Sequence, residues 1–191
     1  MESPSSHASE PLVPTGGCPL RCLVGPNASI DRSAWVVTTA VLLLLDQRLK
    51  AWAIQTLVDP VVVVPKVFQL HLTWNTGVAF GLLRAWPQAA LWASSLLTLG
   101  LLLYAWKTLS KQSPLGFNPH WAFLSCLSAG ALSNGYDRWV RGAVVDFIDV
   151  MAIQYPVFNG ADVLVCVGVV GLLYQLMVTQ SKSSSTSLPT S

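Results

Sequence analysis

Charged residues are scarce in this chain. Only 10% of its 191 residues are Asp, Glu, Lys or Arg, whereas an average soluble domain carries about 25%. Hydrophobic residues make up 52% of the sequence. This balance leaves too little polar surface for an ordinary water-soluble domain and is typical of a protein that crosses the membrane several times. The net charge of +2 is small and spread out, so no basic tract is available for a nucleic-acid partner.

The residues of several common active sites are also missing. The three histidines lie far apart, at His7, His71 and His120, and the sequence contains no HExxH, GxSxG or P-loop motif. Cys18 and Cys22 form a CxxxC pair without a second Cys or His pair, which is a weak metal signal. We therefore expect no metal site, no cofactor and no Ser-His-Asp triad.

Polar ends flank an apolar centre. Residues 1–32 are rich in Ser, Pro and Gly and predict a disordered N-terminal tail, and residues 181–191 predict a flexible C-terminal tail. Between them, residues 33–180 hold four apolar segments at 33–56, 87–109, 119–136 and 161–179. A helix needs about 20 residues to cross a bilayer. The predicted fold is therefore a mainly α, polytopic membrane protein with four transmembrane helices.

Residues 61–83 do not follow a helical pattern. Phe68, Leu70 and Leu72 alternate with polar residues, which predicts a strand, and Asn-Thr-Gly at 75–77 predicts a turn. A small β element is thus expected at the membrane surface after helix one, on the same side as residues 137–160. Four crossings place both termini on one side, but five basic residues there against four opposite do not fix the orientation.

Almost half of the nine acidic residues fall between positions 134 and 162: Asp137, Asp146, Asp149 and Asp162. Ordinary structural roles are open to three of them. Asp137 can pair with Arg138 or Arg141 while Asn134 satisfies the backbone at a helix end. Asp149 can face water, and Asp162 can cap or begin a helix. Asp146 differs, because it is a lone carboxylate in an apolar run.

A further carboxylate, Asp46, lies inside the first apolar segment, where it costs about 2.5–3.5 kcal/mol even on a lenient insertion scale. Lys50 follows one helical turn later, in the favourable order for an ion pair. An internal ion pair and a supporting role beside an active site are both open.

Two aspartates placed close together form one known catalytic arrangement. Like charges about 4 Å apart repel by about 4 kcal/mol at an effective dielectric near 20, so the pair tends to hold one proton between its members. One carboxylate can then deprotonate a water as the other donates to a carbonyl oxygen, as in aspartic proteases. Spacing alone does not show which two aspartates form the pair.

Four sequence blocks together resemble the bacterial lipoprotein signal peptidases, or signal peptidase II. They are D-x-x-x-K at 46–50, N-x-G-x-A-F-G at 75–81, N-x-x-D-R at 134–138 with V-V-D-F at 144–147, and F-N-x-A-D at 158–162. Each block is weak alone, but four in this order are specific. The resemblance covers residues 35–180 and not the long N-terminal tail.

The resemblance implies a four-helix inner-membrane aspartic protease that cuts prolipoproteins before a diacylglyceryl-modified cysteine. It implies a catalytic dyad of Asp146 and Asp162, no metal, and both termini in the cytoplasm, with the site near the extracytoplasmic face. Prolipoproteins and membrane lipids are the implied partners. The implied substrate-binding or supporting residues are Asn75, Gly77, Asn134, Asp137, Arg138, Asn159, Asp46 and Lys50. One departure is Ser133, where the family often has Gly; its small size is expected to preserve helix packing.

Two other functions remain open at this point. A small transporter or proton-relay protein could use the intramembrane Asp46 and the acidic window. Against this, the second and fourth apolar segments carry almost no ionisable residues beyond their ends. A non-catalytic assembly subunit could use the same polar residues for helix packing.

Overall fold

The computed structural model describes residues 28–77, 85–109 and 120–185. In this part of the chain it is mainly helical with one small sheet. The helices are α1 (Ala28–Thr56), α2 (Pro87–Thr108), α3 (His120–Arg141) and α4 (Gly160–Ser185). The strands are β1 (Val61–Val64), β2 (Phe68–Asn75) and β3 (Val144–Asp149), and a short 3₁₀ helix follows at Met151–Ile153.

The first and last helices extend beyond the predicted segments. Helix α1 begins at Ala28 instead of residue 33, and α4 continues to Ser185 instead of residue 179. The rest of both predicted tails, residues 1–27 and 186–191, lies outside the described residues. The 28–32 stretch contains Asp31 in the first helical turn, where a negative charge interacts favourably with the helix dipole.

Two of the described helices, Pro87–Thr108 and Gly160–Val178, are long and apolar enough to cross a membrane. The other two carry the polar residues that the sequence places in apolar surroundings. Asp46 and Lys50 lie on α1, and Asp137 lies on α3, and all three are almost completely buried. These polar side chains therefore face the inside of the helix bundle.

Glycines allow α4 to approach its neighbours closely. A Cβ atom on Gly130 of α3 would overlap the carbonyl oxygen of Ala161 on α4, and one on Gly168 would lie 2.7 Å from Cβ of Leu127. At the start of α4, a Cβ on Gly160 would lie 2.7 Å from Oδ1 of Asp46. Small residues at such crossings are typical of membrane helices, whose backbones pack together directly.

The sheet has the order β1-β2-β3, and both pairings are antiparallel. Strands β1 and β2 form a hairpin whose turn contains Lys66 at φ 63°. The predicted strand is confirmed as β2. The predicted turn is confirmed by the backbone N–H of Gly77, which donates to the Asn75 side chain over 3.0 Å. The predicted residues 78–83 lie outside the described part of the chain.

Strand β3 is absent from the predictions, which treat residues 137–160 as a loop. Its first four residues, Val144 to Phe147, are buried. A strand buried on both faces reads as a continuous apolar run and shows no alternation. In register with β2, Asp146 lies opposite Thr73, so Asp146 is a strand residue and not a loop residue.

The predicted end of the third helix, at residue 136, is also wrong. Helix α3 continues to Arg141 and is followed by Gly142 at φ 78°, a left-handed conformation that commonly ends helices. Asn134 and Asp137 therefore lie inside the helix, and Asn134 does not satisfy a helix end. The polar end of α3 remains helical inside the bundle because Asp137 has a buried partner on α1, Lys50.

An isolated bridge connects β3 to the segment before α4. Phe158 and Ile148 exchange backbone hydrogen bonds of 3.0 Å and 2.8 Å. The bridge closes the loop between them. It fixes the position of Asp146, two residues before Ile148, relative to the start of α4, two residues after Phe158.

Candidate active site

Asp146 lies at the end of the bundle that carries the sheet, and only 2% of its surface is exposed. Each of its carboxylate oxygens accepts a hydrogen bond from an asparagine amide. Asn75, the last residue of β2, donates to Oδ2 over 3.0 Å, and Asn159 donates to Oδ1 over 2.6 Å. The predicted residues Asn75 and Asn159 thus both contact this carboxylate.

Asp162 lies in the first turn of α4 and forms a capping box with Asn159. The Asn159 side-chain oxygen accepts from the backbone N–H of Asp162 over 3.0 Å, and Oδ2 of Asp162 accepts from the backbone N–H of Asn159 over 3.2 Å. The remaining oxygen, Oδ1, accepts from the Asn134 amide over 2.8 Å. Asp162 therefore both stabilises the start of α4 and contacts the other residues of the site.

Asn159 connects the two carboxylates. Its side-chain NH₂ group donates to Asp146 and also to Oδ1 of Asn134 over 3.1 Å, while its oxygen and backbone N–H bind Asp162. Asp146, from a strand, and Asp162, from a helix, are consequently held around one asparagine. A separation of sixteen residues in the sequence does not predict this proximity, which depends on the bridge between Ile148 and Phe158.

The environment of Asp146 favours its protonated form. Burial, and after it the negative charge of Asp162, raises the pKa of Asp146 from 3.8 to about 6. The hydrogen bonds from Asn75 and Asn159 and the positive charge of Lys50 act in the opposite direction. The surroundings of Asp146 therefore favour its protonated form up to about pH 6.

A buried ionic cluster lies beneath the two carboxylates. The Lys50 ammonium, 0% exposed, contacts Asp46 over 3.0 Å and Asp137 over 2.7 Å, and Asp137 also pairs with Arg141. Two positive and two negative side chains compensate one another, as buried charges require. The predicted pair of Asp46 and Lys50 forms, and of the two arginines considered for Asp137, the salt bridge is with Arg141.

Arg138 joins α3 to the turn after β2 instead. Its guanidinium donates to the carbonyl oxygen of Gly77 over 2.6 Å and to that of Asn134, one turn earlier, over 3.3 Å. Gly77 and Asn75, both predicted site residues, are thereby attached to the helix that carries Asn134.

Asp149 lies away from this constellation. It accepts a hydrogen bond of 2.6 Å from Gln69 of β2, and His71 is 3.9 Å away. The structure therefore separates Asp149 from Asp146 and Asp162, although all three fall in one acidic window of the sequence.

The predictions omit Gln47 and give Ser133 a packing role only, but both side chains form hydrogen bonds with the ionic cluster. Gln47 donates to Asp137 over 3.1 Å and to the Ser133 hydroxyl over 2.8 Å, and Ser133 donates to Asp46 over 2.5 Å. A signal for Gln47 exists, since it lies within about 100° of Asp46 and Lys50 around the helix. The hydroxyl of Ser133 adds hydrogen bonds where packing alone was expected.

No three His, Cys, Asp or Glu side chains within residues 28–77, 85–109 and 120–185 are grouped as metal ligands would be. The chemistry offered by the described residues is that of two carboxylates with amide and guanidinium donors around them.

Comparisons with known proteins identify the family. The family model described as Signal peptidase (SPase) II matches residues 38–178. Among curated relatives, the lipoprotein signal peptidase of Gloeobacter violaceus is 33% identical over 165 residues, which cover 84% of this chain and 91% of the relative. That of Synechococcus sp. (strain RCC307) is 38% identical over 146 residues, 74% of this chain and 93% of the relative.

Solved structures share the fold. Two of them are described as bacterial membrane enzymes determined by the in meso method. One has a TM-score of 0.66 at 26% identity and covers 83% of this chain and 94% of its own. The other has a TM-score of 0.61 at 28% identity, with 75% and 92% covered. The fold is thus that of a membrane enzyme. The chain belongs to the signal peptidase II family.

The raised pKa of Asp146 predicts a specific pH dependence of stability. Between pH 4 and pH 6 the native state binds more protons than the unfolded chain, so this carboxylate makes the protein less stable as pH rises through that window. A shift of about two units corresponds to about 2–3 kcal/mol. We expect Asp146→Asn to lose this part of the pH dependence, measured by unfolding in detergent from pH 4 to pH 7.

Asp149→Asn is the matched control, because it removes a nearby carboxylate and leaves Asp146 in place. It should keep the wild-type decline with pH. If wild-type protein and Asp146→Asn show the same pH dependence, Asp146 does not have the raised pKa.

Proposed function

We propose that this chain is a membrane aspartic endopeptidase that removes signal peptides from diacylglyceryl-modified prolipoproteins by cutting before the lipidated cysteine. Membership of the signal peptidase II family supports the substrate class. The observation that carries the catalytic type is the attachment of Asp146 and Asp162 to one asparagine, Asn159. The protease domain comprises residues 33–180.

The two aspartates have different roles because their surroundings differ. Asp146 is buried and its pKa is raised, so it holds the proton that the pair shares. Asp162 receives hydrogen bonds from Asn134 and from the backbone of Asn159, and it lies at the positive end of the α4 dipole. These donors hold the Asp162 carboxylate in place, and we assign it the role of general base.

Hydrolysis then proceeds in two steps. Asp162 takes a proton from water as the water oxygen attacks the scissile carbonyl carbon, and Asp146 gives its proton to the carbonyl oxygen. The resulting gem-diol returns one hydroxyl proton to Asp146 as the C–N bond breaks. The proton on Asp162 passes to the leaving nitrogen, which becomes the amino group of the lipidated cysteine.

Amide and guanidinium groups beside the dyad orient the substrate. Asn75 is attached to Asp146 and lies at the end of β2, where an extended peptide can reach both. Arg138 holds the Gly77 turn against α3. These contacts give the substrate backbone donors on the side of the sheet.

All four helices cross the membrane in this proposal. Exposed aromatic residues form two levels, as at the two interfaces of a bilayer. Trp52, Trp86 and Trp139 lie near the helix ends beside the sheet, and Tyr104 and Trp106 lie toward the opposite end. The twenty residues from Trp86 to Trp106 span about 30 Å along α2, which matches the hydrocarbon thickness.

Both termini are cytoplasmic and the dyad is near the extracytoplasmic face. In a cysteine-free background, Lys66→Cys in the β1–β2 turn should react with a membrane-impermeant maleimide in intact bacteria. Lys107→Cys, at the opposite end of α2, should react only after permeabilisation. The reverse pattern would invert the orientation, and labelling of both in intact cells would refute the four crossings.

Removing either dyad carboxylate should abolish cleavage. We expect Asp146→Asn and Asp162→Asn to lower the cleavage rate of a diacylglyceryl-modified prolipoprotein by at least about 1,000-fold, because each removes a proton-transfer group. The measurement is release of the signal peptide by purified full-length protein in detergent.

Asp149→Asn serves as the control within the same acidic window and should retain activity within a few-fold of the wild type. Substantial processing by either dyad variant would refute the assignment of the dyad. Loss of activity in Asp149→Asn alone would show that the catalytic carboxylate is a different one.

A further inference from the structure

Lys50 reaches the active site through a neutral side chain. Its fully buried ammonium contacts Asp46 Oδ2 at 3.0 Å, Asp137 Oδ2 at 2.7 Å and Asn134 Oδ1 at 2.9 Å. An ammonium has three hydrogens, and these three acceptors are the closest ones available to it among the described residues. Two of them compensate its charge. The third, Asn134, also contacts the general base.

The amide of Asn134 has one orientation that satisfies its neighbours. Its oxygen accepts from both Lys50 and the Asn159 side chain, and its NH₂ group donates to Asp162 over 2.8 Å. A rotated amide would direct NH₂ hydrogens at two donors and present an oxygen to a carboxylate. Lys50 therefore has a direct part in determining which atom of Asn134 faces Asp162.

We propose that Lys50 is a positioning residue that orients Asn134 so that its amide donates to Asp162, the general base of the proposed reaction. The inference rests on the proposed function and adds a role for the ionic cluster beneath the dyad. Lys50 acts on the reaction only through Asn134. It does not contact substrate or transfer a proton.

A change in the acidic limb of the pH profile of kcat follows from this role. The groups facing Asp162 are Asn134 and Arg138 from α3, Asp146 from β3, and Asn159 at its own helix start. A hydrogen bond to the ionised form favours that form. Without the donation from Asn134, the reactive state of the dyad, in which one carboxylate is ionised, loses a stabilising hydrogen bond. The acidic limb should move upward by about one pH unit, the size expected for one hydrogen bond to a charged group.

The test uses a charge-balanced double variant, because Lys50→Met alone leaves the buried Asp46 carboxylate without an ionic partner, whereas Asp137 keeps its salt bridge to Arg141. Lys50→Met combined with Asp46→Asn removes one positive and one negative charge. Its pH profile of kcat is compared with those of Asn134→Ala and of the triple variant. Purified full-length protein in detergent and a synthetic diacylglyceryl-modified prolipoprotein peptide are used throughout, and Lys50→Arg tests rescue by a retained charge and donor.

Ser128→Ala is the matched structural control. Ser128 is a buried residue of α3, the helix that carries Asn134, and accepts a hydrogen bond of 3.2 Å from Trp35, away from the dyad. Its loss should lower stability and leave the acidic limb in place.

Three results support the inference: similar upward shifts in the double variant and in Asn134→Ala, no further shift in the triple variant, and a smaller shift in Lys50→Arg. Such non-additivity is the signature of residues acting through one interaction. A lower kcat with an unmoved acidic limb, or shifts that add in the triple variant, would overturn it. A wild-type protein that does not cleave the peptide would instead refute the proposed function.

Discussion

Asn159 is the residue on which the geometry of the site depends. Its backbone and side-chain oxygen cap α4 together with Asp162, and its NH₂ group binds Asp146. The bridge between Ile148 and Phe158 places it there by joining β3 to the start of α4. One short-range motif of helix capping thereby becomes a long-range connection between two carboxylates. One residue, Asn159, therefore donates a hydrogen bond to each of the two carboxylates.

The charges beneath the site follow from the same constraint. Two carboxylates in apolar surroundings are costly unless donors surround them, and the donors in turn need fixed orientations. Lys50 links α1 to α3 through Asp137 and contacts Asn134, which donates to Asp162. Gly160 permits this by allowing α4 to begin directly against Asp46. The buried charge pairs and the donors to Asp146 and Asp162 therefore belong to one hydrogen-bonded network.

Much of this could be predicted from the sequence, for identifiable reasons. Long apolar segments indicated the four helices, alternation indicated β2, and the motif blocks singled out Asp146 and Asp162. Strand β3 was missed because burial of both faces removes the alternation that identifies a strand. The hydrogen bonds of Gln47 and Ser133 were missed because each partner lies on the other helix. Ser133 of α3 donates to Asp46 of α1, and Gln47 of α1 donates to Asp137 of α3. Contacts between distant segments leave no mark on local patterns.

The proposed roles of the two carboxylates depend on the protonation of Asp146 below about pH 6. Infrared spectroscopy of the carboxyl C=O stretch in the full-length protein tests it directly between pH 4 and pH 7. We expect the wild type to show one protonated carboxyl that titrates near pH 6 and that is missing from Asp146→Asn. Loss of every protonated carboxyl band by pH 5 in the wild type, or persistence of the pH 6 band in Asp146→Asn, would contradict it.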